Sequence, residues 1–360
     1  MSGSPAAVEP ALRLGTRRSA LARTQSEHVA QALRERTGRA VELVEVTTEG
    51  DVSRAPLSSL GGTGVFATAL REALLAGRVD LAVHSLKDLP TAPAAGLVVA
   101  AVPPREDPRD VLVASAGRRL ADLPAGARVG TGSPRRAAQL RALRPDLAVV
   151  DVRGNVDTRL RMVSEGHLDA VVLARAGLLR LGRAGEATEV LGTDQLLPAP
   201  GQGALAVECR ADDDGVRDAC ALLDDPASRA ATTAERALLA ALEAGCAAPV
   251  GALALLDDDG GLRLTGLVAA LDGSAAAVRS GSGPLDEAAA TGRRVAADLL
   301  ASGSPALAPL APAQTAQAAR LTTPPDPARP ETPRTSSAAP QPASNTHDAA
   351  AHEPPERVHP

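Results

Sequence analysis

The sequence predicts a mixed α/β fold, in which two α/β lobes flank a hinged cleft and a small α+β third domain follows. Short apolar runs alternate with amphipathic helical stretches from about 11 to 103, and the alternation restarts within 104–203. Proline-rich segments at 103–108 and 197–201 separate the repeats, so we expect the chain to cross between lobes twice. From 225 to 310 the order changes to a helix, three apolar runs and a final helix, which indicates a separate unit.

The first repeat contains four expected strands and two expected helices. Ser19 is placed to cap the first helix and Gly38 to end it. The segment 47–64 is rich in Ser and Gly and is long enough to form a lid. We expect the strands at 12–16, 41–46, 80–85 and 97–102, and the helices at 20–36 and 66–76.

The second repeat has the same character, and its first helix begins at Pro134 with Ser133 as the cap. Its strands are expected at 128–131, 148–152 and 170–173, and its later helices at 156–163 and 175–181. The apolar run 204–209 is expected to return to the first sheet. Domain 1 is therefore predicted to be discontinuous (11–103 and 204–224), around domain 2 (104–203). Domain 3 (225–310) is expected to contain helix 228–244, strands at 250–256, 262–269 and about 275–279, and helix 285–302.

The composition argues against several classes of protein. The formal net charge is −5, whereas a nucleic-acid-binding domain is usually basic. No apolar run approaches the length of a transmembrane helix, so we expect no membrane partner. Three cysteines without paired spacing fit free thiols in a reducing cytoplasm, and no metal-ligand motif is visible.

Both ends of the chain are expected to be disordered. Residues 1–10 show no signal peptide. In the tail, 311–360, eleven of the 49 residues from 312 onward are proline, and apolar side chains larger than alanine are nearly absent. Such a segment cannot bury enough surface to offset the entropy lost on ordering.

Lys87 is the only lysine in a chain with 37 arginines. Because arginine stands almost everywhere else, the remaining lysine is a candidate for chemistry that needs a compact, tunable charge. It lies in the segment 84–90, which directly follows the apolar run 81–83, and open α/β sheets place their sites at such strand ends. Asp88 comes next, and a carboxylate there either caps a turn or supports a cation formed during a reaction.

Arginines recur where predicted strands pass into helices. Helix N-termini attract anions, and guanidinium groups bind carboxylates or phosphates with two parallel hydrogen bonds. One arginine in this arginine-rich chain is most simply a solvated surface charge, but repetition at three junctions predicts a ligand with several negative groups. The residues are Arg17 and Arg18, Arg135 and Arg136, Arg153, and Arg159 one turn into its helix.

Cys246 lies in a predicted loop between Gly245 and Pro249. The other two cysteines, Cys209 and Cys220, fall in strand and helix patterns, where a free cysteine usually behaves as a small buried apolar residue. Cys246 is therefore the better candidate for a covalent attachment point.

Seven motifs in this order resemble the porphobilinogen deaminase (hydroxymethylbilane synthase) family. The resemblance covers about 11–310 and excludes the tail. The motifs are Gly-Thr-Arg-Arg-Ser at 15–19, His-Ser-Leu-Lys-Asp-Leu-Pro at 84–90, Arg-Glu-Asp-Pro-Arg-Asp at 105–110, Gly-Thr-Gly-Ser-Pro-Arg-Arg at 130–136, Arg-Gly-Asn-Val-Asp-Thr-Arg at 153–159, Leu-Pro-Ala-Pro-Gly-Gln-Gly-Ala at 197–204 and Glu-Ala-Gly-Cys at 243–246.

The resemblance implies a transferase of tetrapyrrole biosynthesis that joins four porphobilinogen molecules into hydroxymethylbilane and releases ammonia at each step. Its primer is a dipyrromethane cofactor, bound through a thioether to the residue matching Cys246. The resemblance also implies catalysis by Asp88 with Lys87, and a monomer whose lobes are like those of periplasmic binding proteins. The implied cofactor contacts further include Ser19, Thr131, Ser133, Arg135, Arg136 and Arg153, and the implied substrate contacts are Arg17, Arg153, Arg159 and Arg180.

This chain departs from the family pattern in the predicted lid, where Glu49, Ser59 and Thr63 replace basic residues that many members carry. Contacts of those basic residues cannot be transferred. Two other functions stay open on the residues alone. A non-catalytic anion-binding protein would explain the arginines but leave Cys246 without a role. A nucleotide enzyme is suggested by the Gly-rich run 61–64, although that run lacks the ending of a P-loop.

Overall fold

The computed structural model describes residues 10–47, 65–244 and 248–310. Three sheets organise these residues: a five-stranded sheet in each of two α/β lobes and a three-stranded sheet in a small third domain. Most of the predicted lid, with its three departing residues, lies outside the described residues, as do Cys246 and the tail. No helix within the described part is both long and apolar enough to cross a bilayer.

The strands, in chain order, are β1 (Leu12–Thr16), β2 (Val41–Glu45), β3 (Leu81–Ser85), β4 (Leu97–Ala101), β5 (Asp110–Ala114), β6 (Arg128–Gly130), β7 (Ala148–Val150), β8 (Ala170–Ala174), β9 (Glu189–Val190), β10 (Leu205–Arg210), β11 (Val250–Leu256), β12 (Leu262–Ala269) and β13 (Ala276–Gly283). The helices are α1 (Ala20–Thr37), α2 (Val65–Leu75), α3 (Pro134–Leu143), α4 (Val156–Ser164), α5 (Arg175–Arg180), α6 (Asp214–Ala221), α7 (Pro226–Ala241) and α8 (Ala288–Ala301). A 3-10 turn, Leu86–Asp88, follows β3.

The two lobes share one strand order. The first sheet runs β2-β1-β3-β10-β4 and the second runs β7-β6-β8-β5-β9. In each sheet, one strand is antiparallel to both of its neighbours: β10 in the first and β5 in the second. These two strands are the ones that the chain enters after crossing from the other lobe. The two-lobed α/β fold and the return of 204–209 to the first sheet are thereby confirmed.

An alternation of strands and helices favours a parallel sheet, but β5 and β10 are antiparallel to their neighbours, because a strand that enters from the other lobe runs in the reverse direction. No strand is predicted from the sequence at β5 or β9. The run Val111–Ala114 has the continuous apolar pattern of a buried strand, so a signal for β5 was present. The two residues of β9 are too few to show any periodicity.

The third domain packs α7 and α8 against one face of the antiparallel sheet β11-β12-β13. Leu238 on α7 and Val295 on α8 are fully buried in the same apolar cluster as Leu264 on β12. Predicted helix 285–302 begins later, at Ala288, since Leu285–Glu287 forms a 3-10 turn.

A buried ion pair joins the third domain to both crossings between the lobes. Glu235 of α7 has no exposed surface and accepts from both terminal nitrogens of Arg105, at 2.6 and 3.0 Å. Arg105 lies on the first crossing and also donates to Gln202 O on the second, at 2.8 Å. The same carboxylate accepts from Gly201 N at 2.7 Å. The three segments that meet near the strand ends are therefore held by one charged group.

Candidate active site

The 3-10 turn after β3 carries Lys87 and Asp88 at the end of the first sheet. Its ends are fixed in the core, because Leu86 and Leu89 are buried in one apolar cluster with Ala204. The amide of Leu86 also donates to Ala204 O, at 3.0 Å. Between these anchors Lys87 is half-buried and Asp88 is exposed. The backbone is thus held while the carboxylate stays accessible to a ligand.

The second crossing presses closely against this turn. Gly201 has a φ of +75°, and a Cβ atom added there would lie 3.3 Å from the amide nitrogen of Lys87. Only glycine combines that backbone conformation with so close an approach without strain. The turn therefore packs against the segment that links the lobes.

Burial is the main reason that the pKa of Lys87 falls to about 8. Asp88 opposes this fall, while the positive charge of Arg136 adds to it. Arg136 belongs to the second lobe, so the lysine at the end of the first sheet lies within electrostatic reach of the other lobe. A carboxylate ligand beside the amine would favour its charged form.

Asp110, the first residue of β5, is fully buried and binds two arginines of α3. Its two carboxylate oxygens accept from Arg135 Nη2 at 2.9 Å and from Arg136 Nη2 at 2.8 Å. Gln202 Nε2 of the second crossing donates to the same carboxylate, at 2.8 Å. Burial alone would raise the pKa of Asp110, but the two guanidinium groups hold it well below its usual range.

The sequence predicts Arg135 and Arg136 as binders of ligand carboxylates, whereas the structure already gives each an internal partner. Besides Asp110, Arg135 Nη1 donates to Leu197 O at 2.6 Å and Arg136 Nη1 donates to Val172 O at 3.1 Å. Arg135 Nε, however, is buried and finds no acceptor among the described residues. A buried donor without a partner is costly, so this position would gain from a further acceptor.

Arg159 lies near the start of α4, a helix capped by Asn155. Its Nε atom donates to Gly154 O at 3.0 Å. Burial lowers the pKa of Arg159 to about 10, and the charge of Arg136 contributes in the same direction. Asp88 of the first lobe acts against that shift. The exposed carboxylate of one lobe and a guanidinium group of the other therefore share one electrostatic environment.

The predicted hydroxyl contacts all have local hydrogen bonds. Ser19 Oγ caps α1 by accepting from Ala22 N at 3.3 Å, as the sequence predicts. Thr131 is buried, and its Oγ1 accepts from the amide of Ser133 at 3.2 Å. Ser133 Oγ in turn caps α3 by accepting from Arg136 N at 3.5 Å.

The other predicted arginines differ in their surroundings. Arg17 is half-buried on the loop before α1, and Arg153 is exposed on the loop before α4. Arg180, at the end of α5, donates from Nη2 to Gly203 O on the second crossing, at 2.6 Å. Burial lowers the pKa of Arg180, and Glu106 partly opposes this.

Among the predicted residues, the structure brings Lys87 and Asp88 of the first lobe together with Arg136, Arg153 and Arg159 of the second. Ser19 is instead held by its helix cap and Arg180 by the crossing. Cys246 lies outside the described residues.

Sequence reasoning missed the part played by Asp110 and Gln202. Both stand inside family-like motifs, at 105–110 and 197–204. Their sequence separation is 92 residues, so no local pattern indicates that they bind each other.

Among the described residues, the positively charged side chains at this site outnumber the negatively charged ones. The cations that act on one another are Lys87, Arg135, Arg136, Arg153 and Arg159, and the acids that act on them are Asp88, Asp110 and Asp151. Burial lowers the pKa values of Lys87 and Arg159, and neighbouring arginines lower them further. The site therefore fits an anion with several carboxylates. Within the described residues, no group of three or more acidic, histidine or cysteine side chains could hold a metal ion.

Some solved structures show a distant similarity. The BvgS VFT2 domain of Bordetella pertussis is 20% identical with a TM-score of 0.38, over 59% of this chain and 85% of that one. The methionine-binding protein MetQ is 13% identical with a TM-score of 0.39, over 59% of this chain and 89% of that one.

Known protein sequences are much more similar to this chain. The family profile of the porphobilinogen deaminase dipyrromethane cofactor binding domain matches residues 12–218, and that of the porphobilinogen deaminase C-terminal domain matches 230–301. Porphobilinogen deaminase 1 of Streptomyces coelicolor is 60% identical over 312 residues, covering 83% of this chain and 98% of that protein. Porphobilinogen deaminase of Leifsonia xyli is 59% identical over 313 residues, covering 83% and 95%. From the extent of these matches, the chain belongs to the porphobilinogen deaminase family.

Proposed function

We propose that this protein joins four porphobilinogen molecules head to tail into hydroxymethylbilane and releases ammonia at each addition, at the strand ends of the two lobes. The proposed reaction is inferred from membership of the porphobilinogen deaminase family. The observation that supports the location is the exposed Asp88, beside Lys87, within electrostatic reach of Arg159 in the opposite lobe. A dipyrromethane cofactor, when bound, supplies the primer to which new units are added.

The residues at the site fit that cofactor, because a dipyrromethane with acidic side chains would compensate the excess positive charge described above. Arg135 Nε offers a buried donor that lacks an acceptor among the described residues. Cys246 would provide the sulfur of the thioether. The residues proposed to hold the cofactor's polar groups are Lys87, Asp88, Arg135, Arg136 and Arg153, with the hydroxyls of Ser19, Thr131 and Ser133.

Each porphobilinogen brings two carboxylates, so a growing chain needs many cations. We assign substrate carboxylates to Arg17, Arg153, Arg159 and Arg180. A guanidinium group binds a carboxylate with two parallel hydrogen bonds and keeps its charge. These arginines would therefore bind and orient the substrate rather than transfer protons.

Asp88 is assigned the electrostatic role. When the amino group leaves porphobilinogen as ammonia, positive charge develops on the pyrrole ring. A carboxylate that is already aimed at that position lowers the barrier without having to reorganise. Lys87 lies next to it, and its pKa of about 8 allows it to be charged or neutral near physiological pH. We assign Lys87 the task of orienting a carboxylate beside Asp88.

Finer aspects of this function are also proposals. An acidic chain with an odd number of cysteines supports a cytoplasmic protein that works on a small molecule, without a nucleic-acid or membrane partner. We propose that it acts as a monomer. The boundaries of domain 1 (11–103 and 204–224), domain 2 (104–203) and domain 3 (225–310) remain predictions.

The test combines intact mass with turnover. Purified full-length protein should be heavier than its sequence by two linked pyrroles and should convert porphobilinogen to a linear tetrapyrrole. Cys246→Ser should lose the added mass, while the matched control Cys209→Ser should keep it. Added mass retained in Cys246→Ser would reassign the attachment point.

The same measurements address the alternative of a non-catalytic anion-binding protein. That alternative explains the arginines and predicts binding of porphobilinogen without turnover or added mass. Ammonia release together with the heavier protein would exclude it.

A further inference from the structure

Arg236 reaches from helix α7 of the third domain to the turn that carries Lys87 and Asp88. Its Nη1 atom donates to Leu89 O at 2.8 Å and to Leu86 O at 3.4 Å. Its Nη2 atom donates to Pro90 O at 2.6 Å. One guanidinium group therefore binds backbone carbonyls on both sides of Asp88.

Arg236 adds to the few hydrogen bonds that the turn makes within itself. The turn consists of three residues and makes one internal bond at its end, from Leu89 N to Leu86 O at 3.2 Å. Pro90 follows, and proline cannot extend a helix because it has no N–H. A charged donor forms stronger hydrogen bonds than a neutral one, and its planar fork fixes the relative positions of its acceptors.

We propose that Arg236 is a positioning residue for the reaction: it sets the direction of the Asp88 carboxylate by holding the carbonyls of Leu86, Leu89 and Pro90. Arg236 acts through the backbone in this assignment. It also ties the catalytic turn to the third domain. The inference rests on the role proposed above for Asp88.

Arg229 provides a matched control on the same helix, two turns earlier. Its Nη2 atom donates to Ala100 O of β4 at 2.9 Å, and its Nε atom binds Asp224 at 2.7 Å. It therefore makes the same kind of link, from α7 to carbonyls of the first lobe, but at a different strand and away from the turn. A purely structural role for Arg236 predicts that both arginines behave alike.

The experiment compares Arg236→Gln, Arg236→Lys and Arg229→Gln as full-length, cofactor-loaded enzymes, with turnover counted per loaded molecule. We expect kcat to fall about tenfold to a hundredfold in Arg236→Gln, because a misplacement of about 1 Å can cost that much. Arg236→Lys should lie between that variant and the wild type, and KM should change less than kcat. Arg229→Gln should keep wild-type kcat, although both glutamine variants lower Tm.

Equal kcat values for Arg236→Gln and Arg229→Gln would overturn the inference. If Arg236→Gln does not load cofactor, Arg236→Lys is compared with Arg229→Gln, and wild-type kcat in the lysine variant overturns it. Asp88→Asn is measured in parallel. Full turnover in Asp88→Asn refutes the role proposed for that aspartate, whereas an inactive Asp88→Asn beside a fully active Arg236→Gln refutes only the role of Arg236.

Discussion

The two lobes have the same strand order but place opposite kinds of residue at one equivalent position. The antiparallel strand of each sheet begins beside the end of the third strand: Leu205 pairs with Ser85 in the first lobe, and Asp110 pairs with Ala174 in the second. Leu205 is buried in an apolar cluster, whereas Asp110 is buried with two arginines. The same backbone framework thus supports an apolar strand end in one lobe and a buried ionic cluster in the other.

The position of the arginines relative to the helix cap explains this difference. In the first lobe Arg17 and Arg18 precede the capping residue Ser19, so they lie on a loop and are half-buried or exposed. In the second lobe Arg135 and Arg136 follow the cap and are buried in the first turn of α3. Buried guanidinium groups require an acid, and β5 supplies it. The comparison indicates that the second lobe contributes the buried arginines and that the first lobe carries the accessible carboxylate.

The largest expected effect of breaking this comparison is on stability, through Asp110→Asn. The change removes the negative charge and leaves two buried guanidinium groups without it. Removing one partner from a buried ionic cluster typically costs about 3–5 kcal/mol. Urea denaturation should therefore show a much lower midpoint for this variant than for the wild type.

Asp146→Asn is the control for that measurement. Asp146 pairs with Arg144 at 2.7 Å in the same lobe, but its side chain is 40% exposed. Water can solvate the remaining arginine there, so the urea midpoint should change little. Similar midpoints for the two variants would show that the buried cluster is no more important than a surface pair.

The second prediction concerns the accessible carboxylate of the first lobe. Asp88→Asn should lower turnover about 10²- to 10³-fold, the usual cost of removing one preorganised electrostatic group. Because Asp88 is exposed, Tm should stay within a few degrees of the wild type. Turnover and Tm are measured on cofactor-loaded protein, and wild-type turnover would remove Asp88 from the mechanism.

Most of the fold could be predicted from the sequence, because periodicity, caps and glycine stops are local signals. Ser19, Ser133 and Gly38 each lie where the sequence places them. The location of Lys87 and Asp88 at the end of a strand could likewise be predicted from the apolar run before them. The internal pairing of Arg135 and Arg136 was not, since their acid lies on a strand whose register is set by β8.

The third prediction compares the pH dependence of the two strand ends. Lys87 has a folded pKa of about 8, below its ordinary value of 10.5, so its charged form is disfavoured by folding. That penalty is complete below pH 8 and is relieved as pH rises from about 8 to 10.5, so Lys87 makes the free energy of unfolding rise across this window. Asp110 has a lowered pKa and contributes stability above its ordinary value, which is lost in acid as it becomes protonated.

The measurement uses the cofactor-free Cys246→Ser protein, with and without Lys87→Gln, in urea at several pH values. The double variant should lack the contribution of Lys87, so its free energy of unfolding should gain less between pH 8 and 10.5. Parallel pH profiles for the two proteins would mean that Lys87 has an ordinary pKa in the folded state.

The smallest effect comes from the two helix caps, which test whether the lobes differ only in their charges. Ser19→Ala and Ser133→Ala each remove one cap bond, and such a change costs about 1 kcal/mol. If capping is independent of the ionic cluster, both variants should lower the free energy of unfolding by similar amounts. Ser133 Oγ accepts a hydrogen bond from the amide of Arg136, and the guanidinium group of Arg136 binds Asp110. A clearly larger loss of stability for Ser133→Ala would therefore show that this cap also supports the ionic cluster. Combining Ser133→Ala with Asp110→Asn separates the two possibilities, because independent effects add and coupled effects do not.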